Sequence, residues 1–274
     1  MKTTYFSEIG KTISNVLTKD FKLDNKATVS GQGFKAETTA QKSQLLHKTT
    51  ITREILGDGI LSADVVFDVK KHAITATLTN KDAILKGMKV DVKLGNVSKI
   101  AELKQDVLEK ATIQCAMSGV GIKVEVPLPS PKTCSVNFCS DVFGNGTSVG
   151  IDSTVSLQGG GVENYALAVQ KKSDDVVYAL ALDNRLDRMK FGMAANLDKS
   201  LTGAIECVVG RSSGSLAYAV GLQNGGSRAV YNSAGTIDMS HEHEICEGVK
   251  ATVVCQAHLA SKTYKTGVSF DVKA

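Results

Sequence analysis

Apolar residues at every second position, in run after run, constrain this chain more than any other feature. Met88, Val90, Val92 and Leu94 alternate with Lys89, Asp91 and Lys93; Ile122, Val124 and Val126 alternate with Lys123 and Glu125. Ile74, Ala76 and Leu78 take turns with threonines, and Ala63, Val65, Phe67 and Val69 enclose Asp64, Asp68 and, beyond them, Lys70. Near the end, Val268, Phe270 and Val272 alternate with Ser269, Asp271 and Lys273. Successive strand side chains point to opposite faces, so each run has one apolar and one wet face. Turn signals separate the runs, among them Gly57-Asp58-Gly59, Asn80-Lys81-Asp82, Gly144-Asn145-Gly146 and Asn224-Gly225-Gly226. Such breaks favour hairpins, and the pattern predicts an antiparallel meander over most of the chain.

The beginning is different. Phe6, Ile9, Ile13, Val16 and Leu17 fall at helical spacing while Lys2, Glu8, Lys11, Asn15 and Lys19 face elsewhere. The spacing predicts one amphipathic helix of about four turns, with Ser7 as its cap and Asp20 at its end. Ile100, Leu103, Val107 and Leu108 form a second helical pattern, but Ala101, Leu103, Gln105 and Val107 also read as one face of a strand.

The next question is where so many half-apolar strands bury their faces. In a soluble sandwich the apolar faces meet each other and call for large side chains. Here many alternating positions are Ala, Val, Thr or Ser, Trp is absent and aromatics are 5% of the chain. In a membrane barrel the apolar faces meet lipid, and closure satisfies every backbone N–H and C=O. The strand-like runs are nearly free of proline, since Pro127, Pro129 and Pro131 are the only three, which suits an unbroken ladder. Eight Phe and six Tyr are few for aromatic girdles. The pattern favours the barrel and leaves a soluble all-β protein as the alternative.

Composition narrows the rest. The 274 residues suit one large domain, because the only proline-rich linker candidate is Pro127-Leu-Pro-Ser-Pro131. The longest apolar run, Val176 to Leu182, falls far short of the roughly 18 residues of a spanning helix. The opening residues do not resemble a secretory signal. Lys and Arg are scattered and the net charge is only +4, so no nucleic-acid partner is expected.

Several segments resemble the voltage-dependent anion channel family, the eukaryotic mitochondrial porins. Tyr5-Phe6-Ser7-Glu8-Ile9-Gly10-Lys11, continuing through Val16-Leu17-Thr18-Lys19-Asp20-Phe21, is similar to the family's opening helix. Gly248-Val249-Lys250, then Tyr264-Lys265 with Gly267, Val268, Phe270 and Val272, resembles its last hairpin. Lys265, Gly267, Phe270 and Val272 also fit the mitochondrial β-signal for membrane insertion. Met189-Lys190-Phe191-Gly192-Met193-Ala194-Ala195 resembles an interior strand.

The resemblance implies an all-β transmembrane barrel, 19-stranded and mostly antiparallel. A helix and linker over residues 1–24 would lie in the lumen, and residues 25–274 would form the barrel. It makes 101–116 a strand region and implies a voltage-gated, weakly anion-selective diffusion channel of the mitochondrial outer membrane. Adenine nucleotides, other anionic metabolites and small ions would pass, with membrane lipids outside; a homo-oligomer and docked enzymes are compatible with this reading. The runner-up is the preprotein-conducting channel, whose members carry longer N-terminal extensions; a docking protein is a further alternative. Two positions depart from the family: Ser14 stands where some members have a basic residue, and Val66 and Phe67 where some carry a lipid-facing acid.

No catalytic constellation is present, no enzyme activity is expected, and no cofactor is implied. His241 and His243 share a strand face, but Cys246 falls on the opposite parity, so ordinary lumen or surface histidines are expected rather than a metal site. Cys134 and Cys139 are near enough in sequence to bridge across a turn, against the alternative of two thiols. What remains is electrostatic: Lys11 and Lys19 on the helix, with Lys89, Lys93 and Lys123 on inward faces, are expected to enrich anions, offset by Asp91 and Glu125.

Overall fold

The computed structural model describes residues 5–18, 21, 23, 25–41, 44–56, 61–69, 73–82, 85–95, 108–141 and 145–273. The strands are β1 (Asn25–Gly31), β2 (Phe34–Gln41), β3 (Gln44–Leu56), β4 (Leu61–Asp68), β5 (Ala73–Lys81), β6 (Met88–Leu94) and β7 (Leu108–Met117). They continue as β8 (Val120–Pro127), β9 (Thr133–Asp141), β10 (Thr147–Ser156), β11 (Val162–Lys172), β12 (Val176–Asp183) and β13 (Arg188–Asn196). The last are β14 (Leu201–Gly210), β15 (Leu216–Asn224), β16 (Ser227–Asn232), β17 (Thr236–Cys246), β18 (Val249–His258) and β19 (Thr263–Lys273). Each pairs antiparallel with its sequence neighbours in one 19-stranded sheet, and β1 pairs with β19 to close it. That seam alone is parallel, with Lys26 opposite Ser269 and Val29 opposite Val272. An odd strand number requires one such pair, since first and last strands then run the same way.

Register assigns the two faces. The helix packs against Ala194, Ala204 and Val230, with Ala179 and Ala219 beside them, so these residues face inward. Following the pairings round the ring gives every strand its inner and outer side. The outer side carries Phe34, Ile51, Phe67, Leu78, Ile113, Ile122, Phe138, Ile151, Tyr178, Phe191, Ile205, Tyr218 and Phe270, all exposed. Outside the N-terminal segment, every described aromatic points outward, Tyr264 most of all at 78% exposed. Few aromatics therefore suffice, because none of the described ones on the barrel strands is spent on a core.

The exposed area is 16900 Å², whereas a globular protein of this mass exposes about 11,000 Å². A closed wall one sheet thick, wetted inside and apolar outside, accounts for the excess. No described helix is long and apolar enough to cross a membrane, which says nothing about a barrel.

The N-terminal segment differs from the expected single helix. A 3-10 turn at Phe6–Glu8 is followed by a break at Ile9 and Gly10, and α1 spans Lys11–Thr18. Gly10 adopts φ +73, the left-handed region a glycine enters without strain, so the helix is cut into two pieces there. Ser7 lies inside the 3-10 turn and caps nothing; the residue before the turn, Tyr5, makes no side-chain cap either. Lys2, Lys19 and Asp20 lie outside the described residues, as do Ile100 to Val107 of the ambiguous segment. Leu108 opens β7, a strand as the resemblance implied.

Candidate functional site: the lumen and the strap that crosses it

The described N-terminal residues, 5–18, 21 and 23, form a strap along the inner wall. Tyr5 helps line an open bowl of about 700 Å³ together with Lys89 of β6 and Gln114 of β7. Burial pushes the Tyr5 phenol above its usual pKa, with smaller contributions from Cys115 and Glu8. The 3-10 turn lies against β9 and β10, and α1 against β13, β14 and β15. Leu23 then crosses the lumenal side of β19 before the chain enters β1 at Asn25.

Close approach is possible because the wall is bare where the strap touches it. A Cβ on Gly150 would stand 2.8 Å from Phe6 and 3.0 Å from Ile9; one on Gly192 would stand 3.0 Å from Ile13. On Gly221 it would meet Leu17 at 2.9 Å, and on Gly267 the backbone of Leu23 at 2.8 Å. Ile13, Val16 and Leu17 are 2%, 3% and 5% exposed. Burying each stabilises docking by about 1.5–3 kcal/mol, before the entropy of ordering the strap is subtracted. These glycines were missed as a set in the sequence. Each sits alone inside an alternating run, the pattern that marks close backbone approach.

The predicted site residues can now be placed. Lys11 is on the exposed side of α1, and its ammonium donates to the Glu8 carboxylate at 2.9 Å. Lys19 lies outside the described residues. Lys89, Lys93 and Lys123 are on inward positions, and each is ion-paired: Lys89 to Asp91 at 2.9 Å, Lys93 to Glu109 at 2.5 Å, Lys123 to Glu125 at 2.7 Å. Lys110 shares Glu125 at 3.2 Å, and Lys26 and Lys35 share Glu37 at 3.0 and 2.6 Å. Lys190 pairs with Glu206 and Lys250 with Glu242. All are part-exposed, so each pair adds little stability. Their larger effect is to turn much of the lumenal positive charge into local dipoles. Lys81 stands directly opposite Lys89 and has no acidic partner among the described residues.

Lys265 and Gly267 lie on the inner face of β19, while Phe270 and Val272 lie on its outer face. Phe67 is exposed on the outside and Val66 faces inward, so neither supplies an acid to the lipid side.

Two sequence alternatives resolve plainly. Cys134 and Cys139 point to opposite faces of β9 and stay unbridged thiols, since residues five apart on a strand cannot share a side. His241 and His243 stack at 6.2 Å on the outer face of β17. The parity expected for Cys246 is overturned by a register shift after Glu244, which pairs Cys246 with Val249 on the outer side. Even so, no metal-holding group of three occurs among the described residues.

Mitochondrial outer membrane protein porin 3 of Arabidopsis thaliana is 24% identical over 247 residues, covering 87% of this chain and 86% of the relative. The chain is a homologue of the mitochondrial outer-membrane porins. Porin 4 of Oryza sativa subsp. japonica is likewise 24% identical over 251 residues, covering 88% and 75%. No family model matches. Among solved structures, one described as "Asymmetric conductivity of engineered proteins" superposes with a TM-score of 0.50 at 13% identity, covering 81% of this chain and 96% of that one. That likeness concerns the fold alone. As a porin homologue with a closed barrel, the chain is a pore-forming outer-membrane channel rather than an enzyme, and the localisation expected from the sequence is that of both named relatives.

Proposed function

We propose that this porin is a voltage-gated, weakly anion-selective diffusion channel for adenine nucleotides, other anionic metabolites and small ions. The observation that carries the reading is the strap: an N-terminal segment folded inside a closed barrel narrows the one path through it. Residues 1–24 act as constriction and gate, and residues 25–274 as the wall. Lys11, offset in part by the Glu8 carboxylate it pairs with, brings positive charge to the narrowing, where low-dielectric walls focus the field, and Lys19 is proposed to add to it. Lys89, Lys93 and Lys123 contribute less, because Asp91, Glu109 and Glu125 pair with them. That balance supports a modest preference for anions rather than tight selection. Lys265, Gly267, Phe270 and Val272 serve as the insertion signal, read by the machinery that places the barrel among membrane lipids. The lipid-facing wall is available to further copies, and the water-exposed ends of the barrel to docked enzymes.

Single-channel recording of refolded protein in a planar bilayer under a salt gradient tests the reading. Large steps, an anion-biased reversal potential and drops to substates at both polarities are expected. Cation-biased steps blocked by mitochondrial targeting peptides would instead favour a preprotein channel, and absence of conductance from inserted protein would leave only the docking role.

A further inference from the structure

Apolar side chains seated in glycine slots place the strap along the wall, and hydrogen bonds add a directional constraint that apolar contact lacks. Two backbone N–H groups of the strap meet wall side chains: Phe6 N–H donates to Asn137 Oδ1 at 3.2 Å, and Gly10 N–H donates to Gln170 Oε1 at 2.8 Å. The partners lie 131 and 160 residues away in sequence. Gly10 immediately precedes α1, where amide groups have no carbonyl of the helix to bond, so Gln170 satisfies a donor that the helix leaves open. On three sides the inner neighbours of Gln170 are small, Ala168 on its own strand with Ala179 and Ser148 opposite, while Lys172 follows on the fourth. An amide at the end of a long side chain is conspicuous there.

The two ends of the strap are unequal. Its C-terminal end continues into β1 and passes over Gly267, where it cannot lift without disturbing the closing seam. Its N-terminal end has no such tether among the described residues, and both wall acceptors act on that end. Gly10, with its left-handed backbone, separates the piece held by Asn137 from the helix.

We infer that Asn137 and Gln170 are positioning residues that latch the liftable end of the strap, and so fix how far it narrows the lumen. The inference rests on the gating reading only for its electrical consequence. What matters is an acceptor oxygen at each position, neither charge nor bulk.

The test compares near-isosteres in the full chain refolded into lipid. Gln170→Met and Asn137→Leu keep volume and lose the acceptor; Gln170→Glu and Asn137→Asp keep an acceptor. Trypsin cleavage after Lys11, identified by mass, reads local release of the strap. An apolar replacement leaves an amide without a partner, so cleavage is expected to speed up by roughly tenfold, while the acidic replacements cut no faster than wild type. In bilayers the Met and Leu variants enter substates at lower voltage and the Glu and Asp variants do not. Should Gln170→Met lose its strand signature in circular dichroism, Gln170→Ala replaces it in the same comparison. Equal cleavage of apolar, acidic and wild-type forms overturns the latch, as does equal acceleration in apolar and acidic forms. Acceptor-dependent cleavage with unchanged gating keeps the latch and overturns the gating role of the strap.

Discussion

A missing side chain decides where the N-terminal segment can lie. Gly150, Gly192 and Gly221 sit on β10, β13 and β15, and each faces one or two apolar residues of the strap. Gly192→Val sets two methyl groups where Ile13 packs and is expected to displace α1 while the wall stays closed. The measurement is trypsin cleavage at Lys11 beside an unchanged strand signature in circular dichroism. Gly267 is stricter, because the atoms near its open side are the backbone of Leu23 rather than a flexible side-chain tip. Gly267→Ala therefore leaves no small adjustment that restores the crossing. Refolded in detergent, where no insertion machinery reads a signal, this variant is expected to disturb the crossing and the β1–β19 seam beside it and to refold in lower yield; an unchanged yield would show that the glycine serves insertion alone.

The elements divide into a ring that is self-sufficient and a strap that is not. All backbone pairing that closes the wall runs strand to strand, from β1 round to β19. α1 has only eight residues, too short to hold its shape alone in water, and depends on the wall for its buried side. Removing residues 1–18 is expected to leave the sheet intact by circular dichroism and to give conducting steps without voltage-dependent substates. Substates that survive the deletion would assign gating to the wall. Breaking the closing strand should do the reverse: Val29→Pro removes a ladder donor from β1, which pairs with β19 on one side and β2 on the other, and is expected to lower refolding yield.

For the whole molecule the governing quantity is the balance of lumenal charge. Paired lysines present dipoles rather than net charge, and what remains acts over about 10 Å at 0.1 M salt and about 3 Å at 1 M. Anion preference, read as reversal potential at a fixed salt ratio, is thus expected to fade as both solutions are made more concentrated. Lys11→Glu reverses a charge at the narrowing and leaves Glu8 without its partner, and is expected to move the reversal potential toward cations. No shift in that variant would place the selectivity elsewhere in the lumen.

Alternation determines the half-apolar strands of the meander, while the 19-stranded closed barrel is what the family resemblance implies. Met88 to Leu94 and Ile122 to Val126 can only be strands with one apolar face, because period two leaves no other way to segregate them. The outward aromatics, the inward lysines and the helical stripe of Ile13, Val16 and Leu17 follow from the same local rule. Spacing could not show the break at Gly10, since helical periodicity continues across it while the backbone does not. Nor could it show the register shift that turns Cys246 outward, or the meeting of Gly10 with Gln170 across 160 residues. Periodicity acts between neighbours along the chain; the strap's seat and its latch exist only once the wall has closed and brought distant strands to one surface.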